Sequence, residues 1–384
     1  MNIKNLTKKG TIFILILTII ISTPSTLVFS EAESIQQQQE IDLQQDLEFL
    51  GKLIKFIKAN YAYEVTEEEL MEGAMKGLFY YLDDYSFYYN KEEFEELTQT
   101  VSGDFGGIGL HITEKNGHVT VLTPINGTPG FRAGIKPDDI VVSVDDIDIK
   151  GFTSKQAADL MRGEPGSKVK LGIVREGEPK VLYFDIVREL IIINPIEYEI
   201  LKDNIGYIKI IEFNEHTLEN VLKALGQFKI EKVDKVIFDV RNNPGGSLNE
   251  VVNVLRFLVP RGPIVHIKYS NGEIATYNSY NDDVNFKLAV LVNKGSASAS
   301  EIFAGAIKDL GVGTIIGTTT FGKGTVQSIM PLVNGGGIKL TIAEYLTANM
   351  NPVNKVGIEP DIIVENKTEE DLQLKKAIQV LKEQ

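Results

Sequence analysis

From about residue 191 onward, strand-like apolar runs alternate with helical patterns, and this alternation constrains the fold more than any other feature of the sequence. The strand-like runs begin at residues 205, 235, 288, 312 and 338, and the helical stretches span 215–229, 248–258 and 300–310. Strands that alternate with helices favour a largely parallel, buried sheet. We therefore predict an α/β core over residues 191–366, followed by an amphipathic C-terminal helix in 367–384.

The regions before this core have different patterns and predict two further parts of a multidomain α/β chain. Residues 103–190 contain short alternating runs separated by Gly and Pro turns, which is typical of a small β-rich domain. Residues 31–102 begin with a polar tether, 31–40, and then show apolar side chains at helical spacing. Thr66, followed by three glutamates, indicates a capped helix start. We expect this N-terminal helical region to serve packing or dimerisation.

Residues 1–30 have the layout of an export signal. Three lysines precede an uncharged apolar run over residues 11–21, and small residues follow it. The apolar run alone is short for a bilayer, which favours a cleaved signal peptide, whereas the uncharged stretch to Phe29 is long enough for an uncleaved membrane anchor. Both alternatives predict that the body of the chain works outside the cytoplasm, either secreted or anchored at its N-terminus.

Charge and composition exclude several functional classes. The chain of 384 residues has a net charge of −14 and contains no cysteine. An acidic body repels phosphate backbones, so we expect no nucleic-acid partner. Without cysteine, the chain has no disulfide, no thiolate nucleophile and no Cys-based metal site. It also lacks an HExxH motif, so we predict neither a metal nor a cofactor, and its four histidines are in ordinary strand or helix-start contexts.

A serine-rich turn between a strand and a helix is the first candidate for chemistry. The run from residue 289 ends near Asn293, a loop of small residues follows, and a helix opens around Ala299. A serine at such a turn is held rigidly at the positive end of the helix dipole. Three serines compete for the role of nucleophile, and a helix N-cap explains each of them equally well: Ser296, Ser298 and Ser300.

Two further segments could complete a hydrolytic site. Lys323 is flanked by glycines in an apolar stretch, 319–332, where loss of solvation would favour a neutral amine that can act as a base. Gln327, four residues later, could orient that amine. Gly245 and Gly246 follow a predicted strand and could direct backbone N–H groups at a ligand. Taken alone, Lys323 is by default interpreted as a surface lysine, and the glycine pair as a common glycine-rich turn of an α/β unit.

Together, these segments resemble the carboxyl-terminal processing protease family. The order D-x-R-x-N-P-G-G, then SASASE, then TFGKGTVQ matches the pattern of that family. The resemblance implies that Ser298 is the nucleophile, that Lys323 is its general base and that Gln327 steadies the lysine. It also implies an oxyanion hole formed by a backbone amide of the Gly245–Gly246 pair and by that of Ala299. A TPxG element usual near the C-terminal end of the family pattern is missing here.

The β-rich region, by the same resemblance, looks like a PDZ domain. The run 105–110, FGGIGL, resembles the loop whose backbone N–H groups capture the carboxylate at a chain end. Asp138 stands where a glycine is usual, and Gly130 and Phe131 also depart from the pattern. The resemblance implies peptide-binding roles for five residues: Gly107, Ile108, Gly109, Leu110 and Arg162, the last in coupling peptide binding to the active site.

The combined expectation is a serine endopeptidase that uses a Ser–Lys dyad assisted by Gln327 and selects protein substrates by their free C-terminal end. The resemblance also implies a homodimer and permits regulatory processing in an extracytoplasmic or intermembrane space. Two other classes stay open from the sequence. The PDZ region could be the active part of a peptide-binding scaffold with an inert α/β region, or the chain could be an exported structural protein that dimerises through residues 41–100.

Overall fold

The computed structural model describes residues 25–282, 284–367 and 370–384, with side chains described from residue 42. The chain divides into two compact units, Met1–Gly77 and Leu78–Gln384. Most of the predicted export signal, residues 1–24, lies outside the described part. Within the described residues, no helix combines the length and the apolar character that a membrane crossing needs.

The first unit is helical, as predicted. It contains α1, Ser25–Asn60, and most of α2, Glu67–Phe79. The predicted cap is confirmed, because the Thr66 N–H donates to the Glu69 carboxylate at 2.7 Å and the Glu69 N–H donates to the Thr66 hydroxyl at 3.1 Å. The predicted tether over residues 31–40 is wrong, since these residues belong to α1. Gln and Glu are good helix formers, and the stretch contains no Gly or Pro to stop a helix.

Two elements of the second unit lie ahead of the β-rich region. The short strand β1, Phe87–Tyr89, was not predicted, whereas the helix α3, Lys91–Ser102, lies within the region that was predicted to be helical. The β-rich region then contains β2 Asp104–Gly107, β3 Leu110–Lys115, β4 His118–Pro124, α4 Pro129–Arg132, β5 Ile140–Val144, β6 Ile147–Asp148, α5 Ser154–Met161, β7 Lys168–Val174, β8 Leu182–Val187 and β9 Glu189–Ile192.

These strands form a small antiparallel β domain with its own hydrophobic core. The order β3-β4-β5-β7-β8, with β6 beside β5, makes the main sheet, while β2 and β9 form a separate antiparallel pair. Val121, Val144 and Leu171 are fully buried beneath α5. Asp138, at the position where the resemblance expects glycine, has a φ of +63°, a left-handed conformation that glycine and, less readily, Asp can adopt.

The remaining residues build the α/β core. In chain order its elements are β10 Ile196–Leu201, β11 Ile205–Ile210, α6 Thr217–Ile230, β12 Lys235–Asp239, α7 Leu248–Leu258, β13 Gly262–Tyr269, β14 Ile274–Ser279, β15 Lys287–Val292, α8 Ala299–Asp309, β16 Gly313–Gly317, β17 Thr325–Pro331, β18 Gly337–Thr347, β19 Ile362–Ile363 and α9 Leu372–Glu383.

The largely parallel sheet is confirmed. Strands β11, β12, β15, β16 and β19 run parallel, and only the edge strand β10 pairs antiparallel to its neighbour. Helices α6, α7 and α8 contribute to the large core on one face, and α9 packs through Ala377 and Leu381 against the other face. The β-strand interiors are apolar on both faces because both faces are covered.

The strand-like run from residue 338 forms β18, but its expected place in the parallel sheet is wrong. β18 is the centre of a second, antiparallel sheet in which it pairs with β1, β13 and β17. Its sequence alternates polar and apolar residues, which suits a sheet with one exposed face better than a doubly covered strand. Strands β13, β14 and β17 were not predicted. This second sheet carries the lysine segment to the site described below.

Candidate active site

Ser298 occupies a strained turn between β15 and α8. Its φ of +55° and ψ of −116° lie in a region that residues with a side chain rarely adopt. Local hydrogen bonds hold the conformation. The Ser298 N–H donates to the Glu301 carboxylate at 2.9 Å, and the Ser298 carbonyl accepts from the Glu301 N–H at 2.8 Å and from the Tyr345 hydroxyl at 3.2 Å. A sharp strand-to-helix turn of this kind presents a serine hydroxyl outward.

The three competing serines have different surroundings. Ser296 and Ser300 are both fully buried. Their hydroxyls donate to backbone carbonyls of the glycine turn, Ser296 to Val240 at 2.7 Å and Ser300 to Asn243 at 3.0 Å. Ser298 is partly exposed. The outer two serines therefore fasten the loop to its neighbour, whereas Ser298 is the one that a substrate can reach.

The glycine turn lies directly against Ser298. A Cβ added at Gly245 would meet the Ser298 Cβ at 2.8 Å and the Ala299 nitrogen at 2.9 Å, and Gly245 has a φ of +105°. The fully buried Asn243 fixes the turn, since its side chain donates to the Ile210 carbonyl at 2.9 Å and accepts from the Gly245 N–H at 2.8 Å. Only glycine satisfies both the conformation and the space at residue 245.

Two backbone N–H groups at this junction remain available. The Gly245 N–H is engaged by Asn243, whereas those of Gly246 and Ala299 donate to no acceptor in the described part of the chain. Ala299 is the first residue of α8, and the first N–H groups of an α-helix have no acceptor within the helix. Of the three residues expected to line an oxyanion hole, the geometry thus leaves Gly246 and Ala299 as donors.

Glu301 connects the serine loop to the lysine loop, and the sequence analysis missed it. The side chain is fully buried, and it accepts the N–H of Ser298 at 2.9 Å, that of Gly322 at 2.7 Å and that of Lys323 at 2.9 Å, in addition to the Thr320 hydroxyl at 2.6 Å. A buried carboxylate with this many donors is fully satisfied. An acidic residue in an otherwise apolar helix, 299–307, was the available signal.

Lys323 precedes β17 and has its amine half-buried. The backbone N–H of Lys323 donates to the Glu301 carboxylate, and the backbone carbonyl of Lys323 accepts from the Tyr345 hydroxyl at 2.8 Å. Burial, and next the neighbouring cation of Lys339, lower the pKa of the Lys323 amine, while the carboxylates of Asp83 and Glu301 act in the opposite direction. The net lowering increases the fraction of neutral amine available to take up a proton.

Gln327 lies on β17 near the lysine. Its side-chain nitrogen donates to the hydroxyls of Thr325 at 2.9 Å and Thr341 at 3.1 Å. Across the described residues, no hydrogen bond joins the Lys323 amine to Ser298 or to Gln327. The amine instead lies over the ring of Tyr85, 4.5 Å from its centroid. Because Thr325 and Thr341 engage the nitrogen of Gln327, its carbonyl oxygen is the atom left to accept from the amine.

The expected peptide-binding residues line one groove in the β-rich domain. Gly107, Ile108, Gly109, Leu110 and Arg162 surround a cavity of about 70 Å³ together with the apolar side chains of Ile112, Ala158 and Met161. The N–H groups of Ile108 and Gly109 donate to no acceptor among the residues described. Arg162 stacks on Phe105, with its guanidinium carbon 5.1 Å from the ring centroid. The groove thus offers two N–H donors above an apolar pocket.

No metal site accompanies this arrangement in the part of the chain that the structure describes, where no three His, Asp or Glu side chains are grouped to hold an ion. The adjacent loops bring together the Ser298 hydroxyl, the Lys323 amine of lowered pKa and two backbone N–H donors. These are the components of nucleophilic acyl transfer.

Comparison with known proteins identifies the family of the chain. The family model "Peptidase family S41" matches residues 204–364, "PDZ domain" matches 106–185, and "Activating protease CtpB N-terminal domain" matches 15–93. A carboxy-terminal-processing protease of Bartonella bacilliformis is 35% identical over 87% of this chain and 78% of its own length. Carboxy-terminal processing protease CtpA of Bacillus subtilis is 34% identical over 92% of this chain and 76% of its own length.

The solved structure of a photosystem II D1 C-terminal processing protease is also similar. It aligns with a TM-score of 0.50 and 30% identity over 85% of this chain and 90% of that structure. The fold, the order of the motifs and the relatives all lead to one assignment. The chain belongs to peptidase family S41 and is a PDZ-containing serine-type peptidase of the carboxy-terminal processing protease family.

Proposed function

We propose that the chain is an endopeptidase in which Ser298 attacks the scissile carbonyl and Lys323 acts as its general base. One observation carries the proposal. The N–H groups of both residues donate to the same oxygen of Glu301, each at 2.9 Å, so the two nitrogens cannot be farther apart than the sum of these distances. The nucleophile and base are therefore on loops that one buried carboxylate holds side by side.

The reaction begins with the neutral amine of Lys323, which accepts the hydroxyl proton of Ser298 as the serine oxygen bonds to the carbonyl carbon. Gln327 orients the amine by accepting an N–H through its side-chain oxygen. The N–H groups of Gly246 and Ala299 stabilise the negative charge that develops on the carbonyl oxygen. The lysine ammonium then gives its proton to the leaving amine, and water hydrolyses the acyl-enzyme with the lysine again acting as base.

Substrate selection rests on the groove of the PDZ domain. The chain-end carboxylate of a protein or peptide accepts from the N–H groups of Ile108 and Gly109, and its terminal side chain occupies the apolar pocket beside Leu110. Gly107 ends β2 and sets the loop that presents these donors. Arg162, at the rim of the groove, couples peptide binding to the peptidase core.

We assign the parts of the chain accordingly. Residues 103–190 form the PDZ domain, 191–366 the peptidase core and 367–384 a C-terminal helix, while residues 1–30 direct the body out of the cytoplasm as a cleaved signal or as an anchor. Residues 31–102 dimerise. Helix α1 supports this last role, because Leu47, Phe49 and Phe56 are each 59–65% exposed there. Sedimentation of the double variant Phe49→Ser/Phe56→Ser should show a shift from dimer to monomer.

Cleavage of a loosely folded protein tests the proposed activity. The chain, with and without a peptide that ends in an apolar residue, is incubated with casein and compared with Ser298→Ala and Lys323→Ala. We expect cleavage by the unmodified chain and a loss of at least a thousandfold in both variants, with peptide binding unchanged. Peptide binding without cleavage by any version would instead favour the non-catalytic scaffold, and this outcome would overturn the proposal.

A further inference from the structure

The amine of Lys323 lies against an aromatic ring. The amine nitrogen lies 4.5 Å from the centroid of the Tyr85 ring, well within the range of a cation–π contact. An ammonium group has three N–H donors, yet that of Lys323 makes no hydrogen bond to any residue that the structure describes. The Tyr85 ring is therefore a direct contact of this amine.

Tyr85 is held in place by the segment between α2 and β1. The neighbouring Ser86 is buried, and its hydroxyl accepts the Thr341 N–H from β18 at 3.0 Å. The Tyr85 N–H donates to the Asp83 carboxylate at 2.9 Å. The Ser86 contact anchors the segment to the sheet that also carries Gln327, and the Asp83 contact orders the segment locally next to the ring.

The ring discriminates between the two protonation states of the amine. An aromatic face attracts an ammonium ion through its quadrupole, whereas a neutral amine has no such attraction. Asp83 and Glu301 also favour the charged form, and burial and the cation of Lys339 oppose it. Burial and nearby carboxylates raise the pKa of the Tyr85 phenol, which favours the neutral form of the ring.

From this geometry, and relying on the role of Lys323 proposed above, we infer that Tyr85 is a positioning residue of the base. Its ring holds the protonated amine of Lys323 away from a hydrogen bond with Ser298. Loss of the proton removes the attraction to the ring and frees the amine to accept from the serine hydroxyl. Tyr85 touches neither the substrate nor the reacting atoms, and it acts through the lysine alone.

Two variants separate this role from simple packing. Tyr85→Leu keeps an apolar cover over the amine but removes the aromatic face, whereas Tyr85→Phe keeps the face and removes only the hydroxyl. In Tyr85→Leu, the pH at which kcat/KM reaches half its plateau should fall by about 0.5 unit, which makes the rate below that pH about threefold higher. The alkaline plateau should stay within about twofold, and Tyr85→Phe should match the unmodified enzyme.

A shift of Tyr85→Leu to higher pH, no shift at all, or an equal shift in Tyr85→Phe would each overturn the inference. A second measurement does not depend on catalysis. In the Ser298→Ala background, cyanate carbamoylates the neutral form of Lys323, and mass spectrometry follows the rate of this modification against pH.

The pH midpoint of the carbamoylation rate should be lower in Tyr85→Leu and unchanged in Tyr85→Phe. An unchanged midpoint in Tyr85→Leu would contradict the proposed role of the ring. Thermal unfolding shows whether each variant is folded. Should Lys323→Ala keep full activity, the proposed base would fail, while the carbamoylation result would still report on Tyr85.

Discussion

Ser298 and Lys323 donate their backbone N–H groups to the same carboxylate oxygen of Glu301, at 2.9 Å in both cases. This carboxylate is fully buried and also accepts from Thr320 and Gly322. The relative position of the proposed nucleophile and base is therefore set by a group that takes no part in the proposed proton transfer. Because the same interaction also stabilises the left-handed turn at Ser298, the geometry of the site depends strongly on residue 301.

Replacing Glu301 by Gln should disable the site. The amide can accept at only one of its two positions, so N–H donors of the serine and lysine loops would face an NH₂ group. We expect unfolding free energy to fall by about 2–4 kcal/mol and kcat/KM to fall at least a hundredfold. Urea unfolding and casein cleavage measure both effects. Glu231→Gln, an exposed residue at the end of α6, is the matched control and should change neither.

A methyl group added at Gly245 should lower activity, whereas backbone strain alone should not. Gly245→Ala places a Cβ 2.8 Å from that of Ser298, and the φ of +105° adds backbone strain of about 1–2 kcal/mol. Gly177→Ala introduces comparable strain, at a φ of +87°, but its Cβ has no neighbour within 4 Å. Gly177→Ala should therefore lose the stability that strain alone costs, Gly245→Ala should lose more because of the clash, and only Gly245→Ala should lose activity, by about a hundredfold. Equal activity in the two would argue against close packing of the glycine turn on the serine.

The charge of Lys339 should lower the pKa of the Lys323 amine. It lies half-buried on β18, and its positive charge disfavours a second cation at Lys323. In Lys339→Gln the protonated form of Lys323 gains stability, so the lysine pKa rises, the activity profile moves to higher pH, and the rate at neutral pH falls roughly threefold to tenfold. Lys268→Gln, an exposed lysine on the neighbouring strand β13, should leave the profile in place. A profile that moves to lower pH in Lys339→Gln would contradict this account.

The PDZ groove should respond to a methyl group at Gly109. The φ of this residue is +72°, and a Cβ there would clash with the Thr128 side chain at 2.4 Å. Gly109→Ala should therefore weaken binding of an apolar-ended peptide at least tenfold, as fluorescence anisotropy can measure. Gly117→Ala, with a φ of +75° and no neighbour within 4 Å, controls for backbone strain in the same domain. Equal peptide affinity in both variants would contradict the proposal that the loop of residues 105–110 binds the carboxylate of the peptide.

The parallel sheet could be predicted because its strands are continuous apolar runs separated by helical patterns, and its helices α6, α7 and α8 fell close to the predicted ranges. The second sheet could not, because it is assembled by pairing β18 with β1 and β13, which are distant from it in sequence, and no local pattern specifies those partners. The run over residues 31–40 was misread for a different reason, since its polar composition suits a tether and a solvated helix equally well.

The candidate nucleophile and base followed from local motifs, whereas their supporting residues did not. Glu301 was part of a quoted motif, but its role depends on a loop 20 residues further along the chain. Tyr85 reaches the site from the segment between α2 and β1, and Lys339 reaches it from β18; a lone Tyr or Lys has no sequence signal for such a contact. The surroundings of the Lys323 amine are therefore determined by contacts between segments that are distant in sequence.

The most direct test of the central claim is the rate at which a fluorophosphonate labels each serine between pH 6 and 11, followed by peptide mass spectrometry with a C-terminal peptide present. We predict label on Ser298 and none on Ser296 or Ser300, at a rate that rises with pH to a midpoint below the ordinary lysine value of 10.5 and that is abolished in Lys323→Met. Label on a different residue, or an unchanged rate in Lys323→Met, would contradict the assignment of nucleophile and base.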